Sequence, residues 1–369
     1  MKKNLNFYFP CIEDGGLEKN VFALVNSLAK KKYCINFFTY ENNIQHNQLK
    51  NKFFFHKNIN VITSNFVPGV KSRYLKYLFC FIRLFLSSTI NRGIIVSFQG
   101  NILPIIAGKI TGKKIIIRCN TAPSKYINNN FKKSFFKFFY SLSNLILVTS
   151  NDFKKEIKKY FQLNSIVHRQ SLDIKQIKKD SKNKFKFEFF QNFKGLKIIN
   201  IGRLTYQKDQ MTLLRAFAKL IKYRKARLLL IGNGNDKRDL QQFIYKNKLN
   251  KFVKFIPFTK NPFKYVIKSN VKVLSSRYEG NPNILLEIAC LKRLIISSDS
   301  KVGPSEILQS GKGGILFNVG DYNKLYNLLK KLNINSEEVK KKINISYRYV
   351  TKNFQKDISI PFIKLINNI

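Results

Sequence analysis

The sequence predicts an α/β protein with two domains, each built around a parallel β-sheet. Short apolar runs typical of buried strands alternate with longer amphipathic segments typical of helices, and this alternation favours parallel sheets. The 369 residues exceed what one hydrophobic core normally supports. A hydrophobic content of 44% is ample for two cores.

The domain boundaries are predicted from a polar, lysine-rich segment in the middle of the chain. We expect residues 1–173 to form the N-terminal domain, 174–195 a linker and 196–350 the C-terminal domain. Residues 351–369 are predicted to form a helix that crosses back to the N-terminal domain.

In the N-terminal domain, each predicted strand ends at a polar or glycine-containing turn. The first strand is followed by Gly15-Gly16 and by an amphipathic helix over 18–30. The predicted strands are 5–9, 33–40, 59–63, 93–98, 114–118 and 145–149. Open parallel sheets bind ligands beyond the carboxyl ends of their strands. We therefore expect Gly16, Asn101 and Asn120, which follow three of these strands, to lie close together.

The alternation restarts in the C-terminal half. Helices are predicted at 209–223, 236–246 and 284–291. The predicted strands are 196–201, 226–231, 253–256, 271–274, 294–297 and 314–317. This series predicts the second parallel sheet.

The most informative segment is 275–287, which comes directly after the strand at 271–274. It carries two glutamates, Glu279 and Glu287, separated by seven residues. Gly280 and Pro282 shape the turn into a helix, whose first backbone N–H groups favour an anion. Carboxylates beside an anion are suited to accept hydrogen bonds from sugar or ribose hydroxyls. A phosphate next to a hydroxyl-rich group indicates a nucleotide sugar.

These residues resemble the donor site of retaining glycosyltransferases of family 4, of the bacterial surface-glycan and lipopolysaccharide type. Most of the chain takes part: residues 261–280 resemble the run into the donor loop, and 303–317 resemble the family's segment after that loop. Residues 201–209 resemble the family's phosphate-binding segment, and 14–19 resemble its first glycine-rich loop. The resemblance implies the GT-B fold, with two Rossmann-like domains facing each other across a cleft.

The resemblance also implies roles for individual residues. Arg203 and Lys208 would bind the donor diphosphate and stabilise the leaving nucleotide in place of a metal. Glu279 would complete the catalytic set beside the donor sugar, and Glu287 would hold the ribose hydroxyls. The other expected donor-binding residues are Gly16, Asn120, Gly202, Gly232, Gly280, Asn281, Pro282 and Asn283. Many relatives have a histidine after the strand equivalent to 114–118, where this chain has Arg118-Cys119-Asn120; we expect Asn120 to supply the hydrogen bond.

The sequence gives no reason to expect a metal or a cofactor. The three histidines, His46, His56 and His168, lack metal-ligand spacing, and no Asp-x-Asp occurs. The five cysteines are scattered without a Cys-x-x-Cys pair. They are therefore predicted to be reduced, buried thiols of a cytoplasmic protein.

The charge is the second unusual feature, with 68 Lys and Arg against 20 Asp and Glu and a net charge of +48. The abundance of Lys, Asn, Ile and Phe offers a purely compositional explanation. Attraction to an anionic partner is the other explanation. No helix-turn-helix, zinc or RNA-binding signature is present, so we expect an anionic membrane surface rather than nucleic acid.

Two segments, 74–90 and 131–147, combine basic and aromatic residues. Such segments either lie in a bilayer interface or pack on the sheet. Segment 74–90 contains Lys76 and Arg83 and falls short of a membrane span. We expect peripheral attachment to the inner face of the cell membrane.

Three functions are consistent with these patterns. The leading interpretation is retaining transfer of a hexose or N-acetylhexosamine from a nucleotide sugar, expected to be a UDP-sugar, to a lipid-linked or surface-polysaccharide acceptor. The second is a nucleotide-sugar epimerase or phosphorylase of the same fold. The third, a nucleic-acid-binding protein, is suggested by charge alone. The Glu279 and Glu287 loop, together with Arg203 and Lys208, favours the transferase.

Overall fold

The structure, a computed structural model, describes residues 4–13, 16–40, 55–64, 67, 69–183, 185–354 and 357–369. The chain divides into two compact units. The first comprises Met1–Ser171 with Lys356–Ile369, and the second comprises Leu172–Gln355. The predicted turn residue Gly15 lies outside the described residues.

The first unit contains a parallel sheet, which within the described residues has seven strands in the order β3-β2-β1-β4-β5-β6-β7. Its strands are β1 (Leu5–Tyr8), β2 (Ile35–Thr39), β3 (Ile59–Thr63), β4 (Ile94–Ser97), β5 (Ile115–Arg118), β6 (Leu145–Val148) and β7 (Ile166–Val167). The central strands are buried and mostly apolar, as expected for a sheet covered on both faces. Six of these strands confirm the predicted positions, and the short β7 adds an edge strand.

Helices cover both faces of this sheet. They are α1 (Gly16–Lys30), α2 (Arg73–Ile90), α3 (Ile102–Ile110), α4 (Asn130–Ser141), α5 (Asn151–Phe161) and, near the C-terminus, α14 (Ser359–Asn367). The helices α1 and α14 pack together, and Phe362 and Ile366 join the core formed by β1 and β2. The helix α3 packs between α2 and α4. Neither α3 nor α5 is among the elements that the sequence predicts.

The second unit contains a parallel sheet of six strands in its described residues, in the order β10-β9-β8-β11-β12-β13. Its strands are β8 (Leu196–Ile201), β9 (Ala226–Ile231), β10 (Val253–Ile256), β11 (Val271–Leu274), β12 (Leu294–Ser298) and β13 (Ile315–Phe317). All six coincide with predicted strands to within a residue or so, and two separate apolar cores lie on the two faces of the sheet.

The helices of the second unit pack on the sheet and contribute side chains to these two cores. They are α6 (Ile174–Ser181), α7 (Gln210–Leu220), α8 (Lys237–Lys246), α9 (Phe263–Val266), α10 (Asn283–Cys290), α11 (Pro304–Ile307), α12 (Tyr322–Lys331) and α13 (Glu337–Asn353). None of the helices in the described ranges of either unit is long and apolar enough to cross a membrane.

The segment 174–195, predicted as a linker, lies inside the second unit. It contains α6, and Ile177 and Phe190 are buried in the core beside β8. Asn261 Nδ2 donates a hydrogen bond to the Asp180 carbonyl at 2.8 Å, which ties the end of α6 to a later loop. The lysines of α6 occupy its exposed side, so composition alone concealed an amphipathic helix.

The cysteines agree with the prediction with one exception. All five are free thiols, and Cys11, Cys80, Cys119 and Cys290 are buried. Cys34 is exposed because it lies in the turn between α1 and β2.

Candidate active site

The strand order of the second unit brings two predicted loops together. β8 and β11 are parallel neighbours, with Val271 opposite Ile198 and Lys272 opposite Ile199. The chain leaves both strands at the same edge of the sheet. The loop after β8 carries Arg203 and Lys208, and the loop after β11 carries Glu279.

Lys208 and Glu279 form the central contact of this edge. Lys208 Nζ lies 2.5 Å from Glu279 Oε1, and only 16% and 6% of the two side chains are exposed. Ser275 Oγ donates to the Lys208 carbonyl at 3.1 Å, which is a second contact between the loops after β8 and β11. Two of the three predicted catalytic residues therefore meet in an ion pair that is largely shielded from water.

Arg203 is held more loosely in the same loop. Its Nη2 donates to Gln207 Oε1 at 3.3 Å, and Gln207 Nε2 donates in turn to the Tyr278 carbonyl at 3.1 Å. The Arg277 N–H donates to the Gln207 carbonyl at 2.8 Å. Arg203 is exposed, and among the described residues it forms no ion pair. Its guanidinium is therefore available to an anion beside Lys208.

A second ion pair supports the loops. Asp209 caps α7, and its carboxylate accepts from the Thr212 N–H at 3.3 Å and from Thr212 Oγ1 at 2.9 Å. Arg277 Nη2 lies 3.3 Å from Asp209 Oδ2, and its guanidinium lies 4.3 Å from the Tyr206 ring centre. The Arg277 charge is thus balanced within the site.

Gly202 and Gly232 lie where two strand-end loops touch. Gly232 has φ +148°, and a Cβ on it would lie 2.0 Å from the Gly202 carbonyl oxygen. The Gly202 N–H donates to the Ile231 carbonyl at 3.0 Å, and the Leu204 N–H donates to the Asn233 carbonyl at 2.8 Å. Only glycine fits at position 232, so its first role is to let the loop of Arg203 close.

The loop after β11 ends at α10. Pro282 precedes this helix and offers no side-chain cap to its backbone N–H groups. A Cβ on Gly303, which has φ +98°, would lie 2.7 Å from Pro282 Cδ, so a third loop packs on this turn. Glu287 is half-buried on α10, and its charge adds to the burial that raises the pKa of the Cys290 thiol to about 12. The turn from Gly280 to Asn283 and the Glu287 carboxylate thus belong to one local structure.

Lys272 is a titratable residue beside these loops that is absent from the predicted set. It lies within β11, is fully buried and donates through Nζ to the Ile201 carbonyl at 3.3 Å. Burial lowers its pKa well below the usual value, the Lys208 charge lowers it further, and the Glu279 charge opposes both. The available signal was a lysine inside a strand whose other residues are all apolar.

In the first unit, side-chain amides join the ends of two neighbouring strands. Asn120 Nδ2 donates to the Phe98 carbonyl at 2.8 Å, and the Asn101 amide donates to the Arg118 carbonyl at 3.2 Å, so the ends of β4 and β5 are linked. Gly16 begins α1 after the neighbouring strand β1. Its predicted closeness to Asn101 and Asn120 stays a prediction.

A buried basic pair lies behind Asn120. Arg118 Nη1 is 3.4 Å from His168 Nδ1, and His168 Nε2 is 3.0 Å from the Ile358 carbonyl oxygen. Burial, followed by the charge of Arg118, lowers the pKa of His168 to about 4. The imidazole is therefore neutral near pH 7. It donates from Nε2 to the carbonyl and accepts at Nδ1 from the guanidinium.

No group of three or more His, Cys, Asp or Glu residues suited to hold a metal ion occurs among the residues that the structure describes.

Part of the chain is similar to known proteins. Residues 181–348 match the family model of glycosyl transferases group 1. An uncharacterized glycosyltransferase of Methanocaldococcus jannaschii is 34% identical over 232 residues, which cover 56% of this chain and 55% of the relative. A Campylobacter jejuni relative, N-acetylgalactosamine-N,N'-diacetylbacillosaminyl-diphospho-undecaprenol 4-alpha-N-acetylgalactosaminyltransferase, is 27% identical over 59% of this chain and 60% of the relative. The chain thus spans less than two thirds of these relatives' lengths.

The fold is also shared with solved structures. That of Anabaena HepE in complex with UDP-glucose superimposes with a TM-score of 0.77, at 14% identity, over 100% of both chains. The two parallel sheets and this similarity show the GT-B fold.

Proposed function

We propose that this chain, whose residues 181–348 match the group 1 glycosyl transferases, transfers a hexose or N-acetylhexosamine from a nucleotide sugar with retention of configuration. The observation that carries the proposal is the juxtaposition of Arg203, Lys208 and Glu279 at the carboxyl ends of β8 and β11. Two cations beside one carboxylate suit a substrate that joins a diphosphate to a sugar.

The mechanism assigned to these residues needs no protein nucleophile. Arg203 offers a guanidinium fork to the diphosphate, and Lys208 offers a point charge. Both charges stabilise the negative charge that develops on the nucleotide as the sugar–oxygen bond breaks. The acceptor then attacks from the face that the diphosphate leaves, and a phosphate oxygen takes the acceptor proton. Glu279 orients the sugar by accepting hydrogen bonds from its hydroxyls.

Two relatives support the choice of substrates. The Anabaena structure contains UDP-glucose, and the name of the Campylobacter jejuni enzyme describes a sugar acceptor linked to diphospho-undecaprenol. We therefore propose a UDP-sugar donor and a lipid-linked or surface-polysaccharide acceptor. We also propose that the chain is a member of glycosyltransferase family 4.

The test is to incubate the purified chain with UDP-, GDP- and ADP-sugars and a polyprenyl-diphosphate glycan, and to measure nucleotide release. We expect release from UDP-sugars, increased by the acceptor, and a product whose anomeric configuration by NMR equals that of the donor. An inverted product would exclude retention. Failure of every donor, with and without acceptor, would contradict the transferase itself.

A lipid-linked acceptor requires access to a membrane surface, and the helix α2 of the first unit supports such access. One side of α2 is buried through Cys80, Leu84 and Ser88. The opposite side exposes an apolar ladder at every fourth position: Tyr74, Leu78, Ile82, Leu86 and Ile90. The helix contains no acidic residue. An exposed apolar stripe beside cations is typical of helices that lie in a bilayer interface.

The helix α4 repeats this arrangement. Phe131, Phe135 and Phe138 are exposed, and Lys132, Lys133 and Lys137 are the charged residues of the helix. We therefore propose that α2 and α4 carry a peripheral attachment to the inner face of the cell membrane.

We expect the full chain to sediment with vesicles that contain phosphatidylglycerol, and a part of this binding to persist in high salt. Salt screens the lysines, whereas inserted apolar side chains are insensitive to it. Replacing Leu78, Ile82 and Leu86 together by serine should remove the salt-resistant part, about tenfold or more in partition coefficient. A Tyr245→Ser/Phe252→Ser control, at exposed apolar residues of the second unit, should bind like the wild type. Equal binding of both variants would show that the attraction is unspecific.

A further inference from the structure

The position of Lys272 is unusual for a lysine. It is fully buried in β11, a strand whose residues are buried on both faces. Its register partner is Ile199, and Ile199 and Leu274 belong to the apolar core on that side of the sheet. Packing alone would be satisfied by an apolar side chain of the same length.

The polar surroundings of Lys272 are few and belong to the site already described. An ammonium group has three N–H donors, and one hydrogen bond, to the Ile201 carbonyl at 3.3 Å, is present. Its charged neighbours are Lys208, on the loop after β8, and Glu279, on the loop after β11. Of the other charges on these loops, Asp209 and Arg277 are paired with each other, and Arg203 is exposed and bonded to the neutral Gln207. Among the described residues Lys272 therefore has no carboxylate of its own, since Glu279 already pairs with Lys208.

We propose that Lys272 is a positioning residue of the donor site, which takes up a proton when a nucleoside diphosphate binds and then shares Glu279 with Lys208. This inference rests on the donor site proposed above. A bound diphosphate draws Lys208 toward its oxygens, and its negative charge favours a cation at the buried amine. The protonated Lys272 then holds the Glu279 carboxylate in place while Lys208 serves the leaving group.

The electrostatics supply the direction of the effect. Without a ligand, burial and the charge of Lys208 lower the pKa of Lys272. An incoming diphosphate raises that pKa, so binding and protonation favour each other. The affinity for the nucleotide should therefore increase as the pH falls from the liganded toward the unliganded pKa of Lys272.

The low pKa of Lys272 also affects the stability of the ligand-free fold, which decreases as the pH falls. The unfolded chain protonates this lysine near neutral pH, whereas the folded chain resists it, so the lysine destabilises the ligand-free fold there. This cost diminishes as the pH rises toward the unfolded pKa. A Lys272→Met variant should therefore melt at a higher temperature than the wild type without ligand, and the difference should diminish as the pH rises.

The experiment is calorimetry of UDP binding in two buffers of different ionisation enthalpy, from neutral to mildly alkaline pH. We expect the wild type to take up more protons than Lys272→Met, and the variant to bind UDP about tenfold more weakly, as for one lost charge-assisted interaction. The titration of UDP itself is common to both and cancels. Lys197→Met, on the neighbouring strand β8, is the matched control and should resemble the wild type.

The outcomes separate this inference from the proposed function. If the wild type binds none of UDP, GDP and ADP, the donor site and this inference both fail. If it binds UDP but Lys272→Met shows equal proton uptake, or melts lower with unchanged affinity, Lys272 has only a structural role. If Lys272→Met does not fold, proton uptake is measured on the wild type with UDP and with uridine. Uptake on binding UDP but not uridine supports the proposal, and equal uptake with both overturns it.

Discussion

Replacing either Arg203 or Lys208 by alanine should lower turnover about a hundredfold or more. In the proposed mechanism each cation stabilises the charge that develops on the leaving nucleotide, and one such electrostatic contact contributes about 2–4 kcal/mol to the transition state. Turnover should also persist in EDTA, because the proposed site uses these two cations in place of a metal. The measurement is the rate of nucleotide release at saturating donor for wild type and variants.

The two substitutions should differ in their effect on stability. Arg203 is exposed and bonded to the neutral Gln207, so its removal leaves no buried charge. Removal of Lys208 strands Glu279, whose side chain is 6% exposed, so Lys208→Ala should also melt at a lower temperature. Lys208→Ala/Glu279→Ala should regain stability without regaining turnover.

The controls for these substitutions are exposed cations of the same unit. Arg238→Ala and Lys246→Ala, both on α8, should leave turnover unchanged. Near-normal turnover of Arg203→Ala or Lys208→Ala, or loss of wild-type activity in EDTA, would exclude the metal-free diphosphate site.

The strands were predictable because a parallel sheet buried on both faces requires continuous apolar runs. The loops of Arg203 and Glu279 were recognisable for a similar reason, since a glycine-containing turn after such a run marks the binding edge. The contact between these two loops could not be predicted from the alternation of strands and helices along the sequence. It depends on β8 and β11 being neighbours, although two strands separate them in the sequence.

One error of prediction and one omission come from treating lysine as a surface residue. In segment 174–195 the lysines suggest a linker, whereas Ile177 packs into the core from the opposite side of α6. In β11 the single Lys272 is hidden within an apolar run, whereas its amine bonds to the Ile201 carbonyl at the end of β8, beside the loop of Arg203 and Lys208. In a chain with a net charge of +48, the lysine content of a segment does not indicate whether that segment is exposed to solvent. The position of each lysine within the helical or strand periodicity is more informative.

The two glutamates of the donor loop should separate binding from transfer. Glu287→Ala should weaken UDP binding about tenfold or more, because its proposed ribose contacts exist before and after the reaction. Glu279→Ala should not lose UDP affinity, because it releases Lys208 from a 2.5 Å ion pair and leaves it free for the phosphates. The same variant should lower transfer about a hundredfold, because the proposed hydrogen-bond acceptor of the sugar is lost.

Calorimetry with UDP and nucleotide release from the sugar donor, measured on the same preparations, decide between these roles. Glu338→Ala, at an exposed glutamate of α13, should match the wild type in both measurements. Glu279→Gln separates the role of the charge from that of the acceptor oxygen. The glutamine keeps an acceptor oxygen but lacks the charge that holds Lys208. It should therefore bind UDP like Glu279→Ala and recover part of the transfer activity. Equal losses of affinity in Glu279→Ala and Glu287→Ala would place both carboxylates at the nucleotide. A loss in Glu279→Ala alone would reverse the two roles.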